Sequence, residues 1–77
     1  MMADDRIAST NPGEIVQRAR LAAGHRSIHA ARVATGLAES TLYRIEHSTH
    51  GVTVDRLATI LDLFGYDLEL IARRKRP

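Results

Sequence analysis

Residues Ser27 to Glu46 read SIHAARVATGLAESTLYRIE, two short runs with helical spacing on either side of one glycine, Gly36. In the second run Leu42 and Ile45 fall on one face of a helix predicted over Glu39 to His47, with Leu37 in the turn ahead of them. That apolar face has to be buried. The opposite face carries Glu39, Ser40, Tyr43 and Arg44. A short helix pinned along one side and lined with hydrogen-bonding groups along the other suits the major groove of DNA. That groove admits one α-helix and displays donors and acceptors on its base edges.

The run Gly36, Leu37, Ala38, Glu39, Ser40, Thr41, Leu42, Tyr43, Arg44, Ile45, Glu46 resembles the helix-turn-helix of the Cro/phage-repressor (XRE) family. The resemblance extends from about Glu14 to Gly65 and implies a mainly α, lambda-repressor-like domain of four helices. It implies that Glu39, Ser40, Tyr43 and Arg44 face DNA, the alternative for each being an ordinary solvated helix face. Arg44 has the fork for guanine O6 and N7, and Glu39 can accept from cytosine N4. Ser40 can touch a base or phosphate, and Tyr43 can reach phosphate or pack on a thymine methyl. Phosphate contacts are expected from Arg26, Ser27, Thr41, Ser48, Thr49 and His50, helped by backbone N–H groups at helix N-termini. The family also pairs a first-helix Arg with the Glu that ends this run, here Arg20 with Glu46, and that pair is structural.

Three positions depart from the pattern. Ala38 stands where the family prefers a capping Ser or Thr, a loss of roughly 1 kcal/mol to the helix that follows. Ile28 replaces a common phosphate-touching Gln, and Arg32 replaces a small Ala that packs helix on helix.

The rest of the chain fits one small domain. Its 77 residues contain no Cys, so neither a disulfide framework nor a thiolate metal site can reinforce a marginal core. Tyr43, Phe64 and Tyr66 are the aromatics. No apolar run approaches about 18 residues and no signal-peptide pattern is present, so the chain is expected to be soluble and cytoplasmic, nucleoid-associated when bound to DNA. The net charge of +2 is unevenly spread. Residues 14–50 hold five Arg against three Glu, residues 51–72 hold Arg56 against Asp55, Asp62, Asp67 and Glu69, and Arg73, Arg74, Lys75 and Arg76 form a basic tail.

Along the chain, residues 1–10 are expected to be a disordered arm. Asn11, Pro12 and Glu14 signal a helix start, and that helix carries Ile15, Ala19 and Ala22 on one face before Gly24. Ser27 caps a second helix ending at Gly36. Thr53 caps a fourth, with Val54, Leu57, Ile60, Leu61 and Phe64 as its stripe and Gly65 as its stop. Helix-turn-helix residues thus span 11–65.

Beyond Gly65 the period changes to two. Tyr66, Leu68 and Leu70 alternate with Asp67 and Glu69 until Ile71 interrupts, predicting a half-buried strand over 66–72. No other strand candidate exists in the chain, so its expected partner is the same strand of a second copy, with Tyr66, Leu68 and Leu70 in the dimer interface. This arrangement resembles HipB-type antitoxins. The alternative is a fifth helix or a frayed end. Residues 73–77 trail off as a basic tail.

His25 with His29, and His47 with His50, have ligand-like spacing, but no Cys or unclaimed carboxylate completes either set, and no metal is expected. No Ser, Thr or His sits in a nucleophile-elbow, P-loop or paired-carboxylate context, so neither catalysis nor a cofactor nor a small-molecule substrate is expected. Double-stranded DNA is the expected partner. The function expected is that of a transcriptional repressor reading an inverted repeat as a homodimer. The alternative is an antitoxin that neutralises a toxin protein and represses its own operon.

Overall fold

Asn11 opens the first helix. Its side-chain oxygen accepts from the Gly13 N–H at 2.9 Å, and Pro12 takes the first helical position, where its missing N–H leaves no bond unmade. The computed structural model, which describes residues 6–47 and 52–77, places α1 at Pro12–Ala22, α2 at Ile28–Thr35, α3 at Glu39–His47 and α4 at Val54–Leu63. Ser27 caps α2 by accepting from the Ala30 N–H at 3.0 Å, and Thr53 caps α4 by accepting from the Arg56 N–H at 3.2 Å. Gly36 ends α2 with φ of 79°, a left-handed conformation that a Cβ would penalise. α3 follows at once. Its first turn hangs from the Ala38 carbonyl, which accepts from the Leu42 N–H at 3.1 Å, and the Ala38 methyl offers no acceptor to the other free N–H groups.

The core is one cluster: Val16 and Ala19 from α1, Ala31 from α2, Leu42 and Ile45 from α3, and Leu57, Ile60 and Leu61 from α4, closed by Phe64. α3 packs against both α1 and α2, and α4 packs on α1. The small side chains of Ala19 and Ala31 leave room for that approach. The closest approach involves Gly13, where a Cβ would lie 2.7 Å from the carbonyl oxygens of both Ile45 and Glu46. The N–H-rich start of α1 therefore abuts the carbonyl-rich end of α3, a favourable meeting of opposite partial charges.

The buried face of α1 is not the one predicted. Gly13, Val16, Ala19 and Arg20 are inside, Ile15 is half-buried and Ala22 is exposed. The helix is turned by about one residue because Arg20 points inward to an acidic partner. Val54 is likewise exposed, and Val52, just before the cap, packs against the core in its place.

Two terminal expectations also change. Residues 6–10 of the arm are irregular but held: Ile7 packs against the core, and Arg18 Nη1 donates to the Ala8 carbonyl at 3.1 Å. Ile7 supplies an apolar anchor in a polar segment. Residues 1–5 of the arm lie outside the described residues. The strand expected over 66–72 is absent, and among the described residues there is no strand at all. The last backbone pairing they show runs from the Tyr66 N–H to the Leu61 carbonyl at 2.9 Å. A strand requires a hydrogen-bonded neighbour, and the other described segments of this single chain are helices and short loops. The alternation survives only in part. Tyr66 and Leu68 are half-buried against the core, while Leu70 and Ile71 are 71% and 74% exposed. No described helix is long and apolar enough to cross a membrane.

Candidate nucleic-acid interface

α3 is fixed by apolar contacts along its inner face and by two Arg–Glu pairs. In the first, Arg20 Nε donates to Glu46 Oε2 at 2.7 Å and Arg20 Nη2 to Glu46 Oε1 at 3.1 Å, a two-pronged geometry that joins α1 to the last turn of α3. Arg20 Nη1 donates to the His25 carbonyl at 2.8 Å, which fastens the α1–α2 connection to the same point. Arg20 is only 5% exposed. A guanidinium so buried is tolerable because each of its faces meets an acceptor.

The second pair lies at the other end of α3. Glu39 Oε2 accepts from Arg32 Nε at 3.0 Å and lies 3.0 Å from His29 Nδ1. His29 and Arg32 stand one helical turn apart on α2, so the outer face of α2 grips the first residue of α3. The hydrogen bond from His29, followed by that from Arg32, holds the Glu39 carboxyl below its ordinary value. All three side chains are exposed.

Between these pairs, Ser40, Tyr43 and Arg44 are exposed on α3. The Tyr43 ring stacks on His47, centroids 4.0 Å apart and planes 17° from parallel, while His47 Nδ1–H donates to the Tyr43 carbonyl at 2.9 Å. This holds the ring to one side of the helix. Arg44 has no ion-pair partner among the described residues. The face presented is therefore a hydroxyl, an oriented phenol and an unpaired guanidinium. Glu39, expected to join them, is engaged within the protein.

The expected phosphate contacts divide. Arg26 and Ser27 are exposed beside the start of α2; the Ser27 oxygen accepts from the cap and its O–H is left to donate. Thr41 is half-buried. Ser48, Thr49 and His50 lie outside the described residues. The first histidine pair is separated, since the His25 ring packs on Phe64 at 5.8 Å while His29 meets Glu39. Among the described residues no three His, Asp or Glu side chains group as metal ligands would.

Three residues with a part in this geometry escaped the sequence. Arg32 occupies a position expected to pack helix on helix, yet it is Ala31 that is buried there and Arg32 that turns outward. Helical spacing from His29 places the two donors on one face. Gly13 carried a weaker signal, a residue of poor helix propensity inside a first turn. The third, His47, gave none beyond its spacing from Tyr43. The chain matches no protein-family model, no curated protein and no solved structure.

Proposed function

We propose that this protein is a sequence-specific DNA-binding regulator, acting as a repressor, that inserts α3 into the major groove as one half of a homodimer. One arrangement supports it most: Leu42, Ile45 and the Arg20–Glu46 pair fix α3 rigidly from within, and Ser40, Tyr43 and Arg44 are left exposed. A scaffold helix of no further use would not need an unpaired guanidinium and an oriented tyrosine on one short turn. The charge distribution favours the same face, with Arg26 and Arg44 exposed on the α2–α3 side, whereas Asp55, Asp62, Asp67 and Glu69 belong to α4 and the segment after it.

The homodimer is supported by the C-terminal segment. Tyr66 and Leu68 anchor it on the core, beyond Tyr66 its backbone is unpaired among the described residues, and Leu70 and Ile71 are exposed. Antiparallel addition of the same segment from a second copy pairs that backbone and covers Leu70. Two-fold symmetry then calls for an inverted repeat with half-sites about 34 Å apart. The same open edge also suits a foreign protein, as in the antitoxin alternative, and the mass of the purified particle distinguishes the two.

The test is a gel-shift titration on DNA from upstream of the protein's own gene, comparing wild type with Arg44→Ala at two salt concentrations. Wild type should bind a short inverted repeat, and the variant should lose about 1–3 kcal/mol there while keeping weak, salt-sensitive general affinity. Equal, weak binding of both proteins to all DNA contradicts the proposal.

A further inference from the structure

Resting on the proposal that α3 enters the major groove, we infer that Arg32 of α2 reads a guanine, and that Glu39 is the positioning residue that aims it. Glu39 is the first residue of α3, and base contacts from a groove-bound helix come from its N-terminal residues. A guanidinium held 3.0 Å from the Glu39 carboxylate therefore sits at the depth of the base edges.

The contact uses only one side of the guanidinium. Arg32 Nε is engaged by Glu39, whereas Nη1 and Nη2 have no partner among the described residues. Guanine presents O6 and N7 as two adjacent acceptors, the pattern that a two-pronged donor matches. Because the guanidinium is planar, engaging Nε narrows the orientations open to the whole fork, and less freedom remains to be lost when the base arrives. The side chain is half exposed and free of the core, so this order comes from Glu39 rather than from packing.

The same geometry commits one oxygen of Glu39 to the protein. Its Oε2 already faces two donors, His29 Nδ1 and Arg32 Nε. The neighbouring cation also offsets the negative charge that DNA phosphates would repel. A carboxylate at the mouth of a DNA-binding face is thereby turned from a liability into a buttress for an arginine.

The experiment is selection of binding sites from random double-stranded DNA by the full chain, as wild type and as Arg32→Ala, Arg32→Lys, Glu39→Ala and Arg44→Ala. Titration of the wild-type consensus and its single-base variants follows. Arg32→Ala should lose the preference for one guanine per half-site, at a position different from the one relaxed by Arg44→Ala. It should bind the consensus roughly 5- to 100-fold more weakly, and bind the site already lacking that guanine as wild type does. Arg32→Lys should weaken the same preference while keeping the salt dependence, and Glu39→Ala should weaken it at that same position. Arg32 and Glu39 are exposed, so these variants should melt as folded domains close to wild type, with Glu39→Ala slightly below it.

The inference is overturned if Arg32→Ala weakens all sequences equally, which marks a phosphate contact, or changes nothing. It is equally overturned if Glu39→Ala erases the preference at a base pair that Arg32→Ala leaves intact, which makes Glu39 the reader. Should wild type select no sequence, or Arg44→Ala leave the selection unchanged, the groove-bound α3 itself fails and Arg32 with it.

Discussion

Two Arg–Glu pairs hold the ends of α3, and they differ in almost everything except chemistry. Arg20–Glu46 is buried, two-pronged and completed by the His25 carbonyl, whereas Arg32–Glu39 is exposed, single-pronged and shared with His29. Removing one member of a buried pair strands a charge in a medium that cannot solvate it. Removing one member of an exposed pair hands the survivor to water. The lesson is that identical residue pairs have separate duties set by depth. The buried pair fixes where α3 lies, and the exposed pair orders a cation on the surface.

The largest effect should come from breaking the buried pair alone. Glu46→Ala should cost about 3–5 kcal/mol in urea unfolding, which consumes much of the stability of so small a domain. Replacing both members, Arg20→Met with Glu46→Leu, should recover most of that loss, because no charge then remains unpaired. If the double variant is as unstable as the single, the pair supplies more than mutual neutralisation. Next comes the glycine behind it. Gly13→Ala places a methyl 2.7 Å from the Ile45 and Glu46 carbonyl oxygens and should cost about 1–3 kcal/mol by forcing α1 away from α3. An unchanged melting temperature would show that the two helix ends can part freely.

At the exposed end, Ala38→Ser should add the missing acceptor to the first turn of α3 and stabilise the domain by about 1 kcal/mol, read as a higher melting temperature. The smallest effect concerns acid. The Glu39 carboxyl is held below its ordinary value by His29 and Arg32, so what its ionised form contributes is present above that value and lost as pH falls through the depressed one. The difference in melting temperature between wild type and Glu39→Ala should therefore shrink in acid, below about pH 4. A difference that grows in acid would mean the protonated form is the one favoured.

Much of this layout is legible in the residues. Helical spacing and the glycine at position 36 place α3 at Glu39–His47, and Ser27 and Thr53 mark the starts of α2 and α4, because capping is local chemistry between neighbours in sequence. The Arg20–Glu46 pair was legible only through resemblance, since nothing local links residues that far apart. What local pattern could not supply was rotation. Ile15 and Val16 are equally apolar, and the choice between them falls to Arg20, whose partner lies on another helix. Glu39 illustrates the same limit at the surface. Its position in the helix suggests a base contact, and nothing local shows that His29 and Arg32 of the preceding helix meet its carboxylate within the chain. The C-terminal alternation is real in Tyr66 and Leu68, yet a strand is a property of two segments, and one chain offers only one.

The most direct test of α3 as the DNA-facing element is a backbone amide NMR titration of the full chain with a palindromic duplex from its own upstream region. Shifts should concentrate on residues 26–32 and 39–44, with weaker, salt-sensitive changes at 73–76, and amides of α4 around Asp55 and Asp62 should stay in place. Shifts centred on α4, with α3 undisturbed, would contradict the account and turn attention to the acidic half of the domain as the working surface.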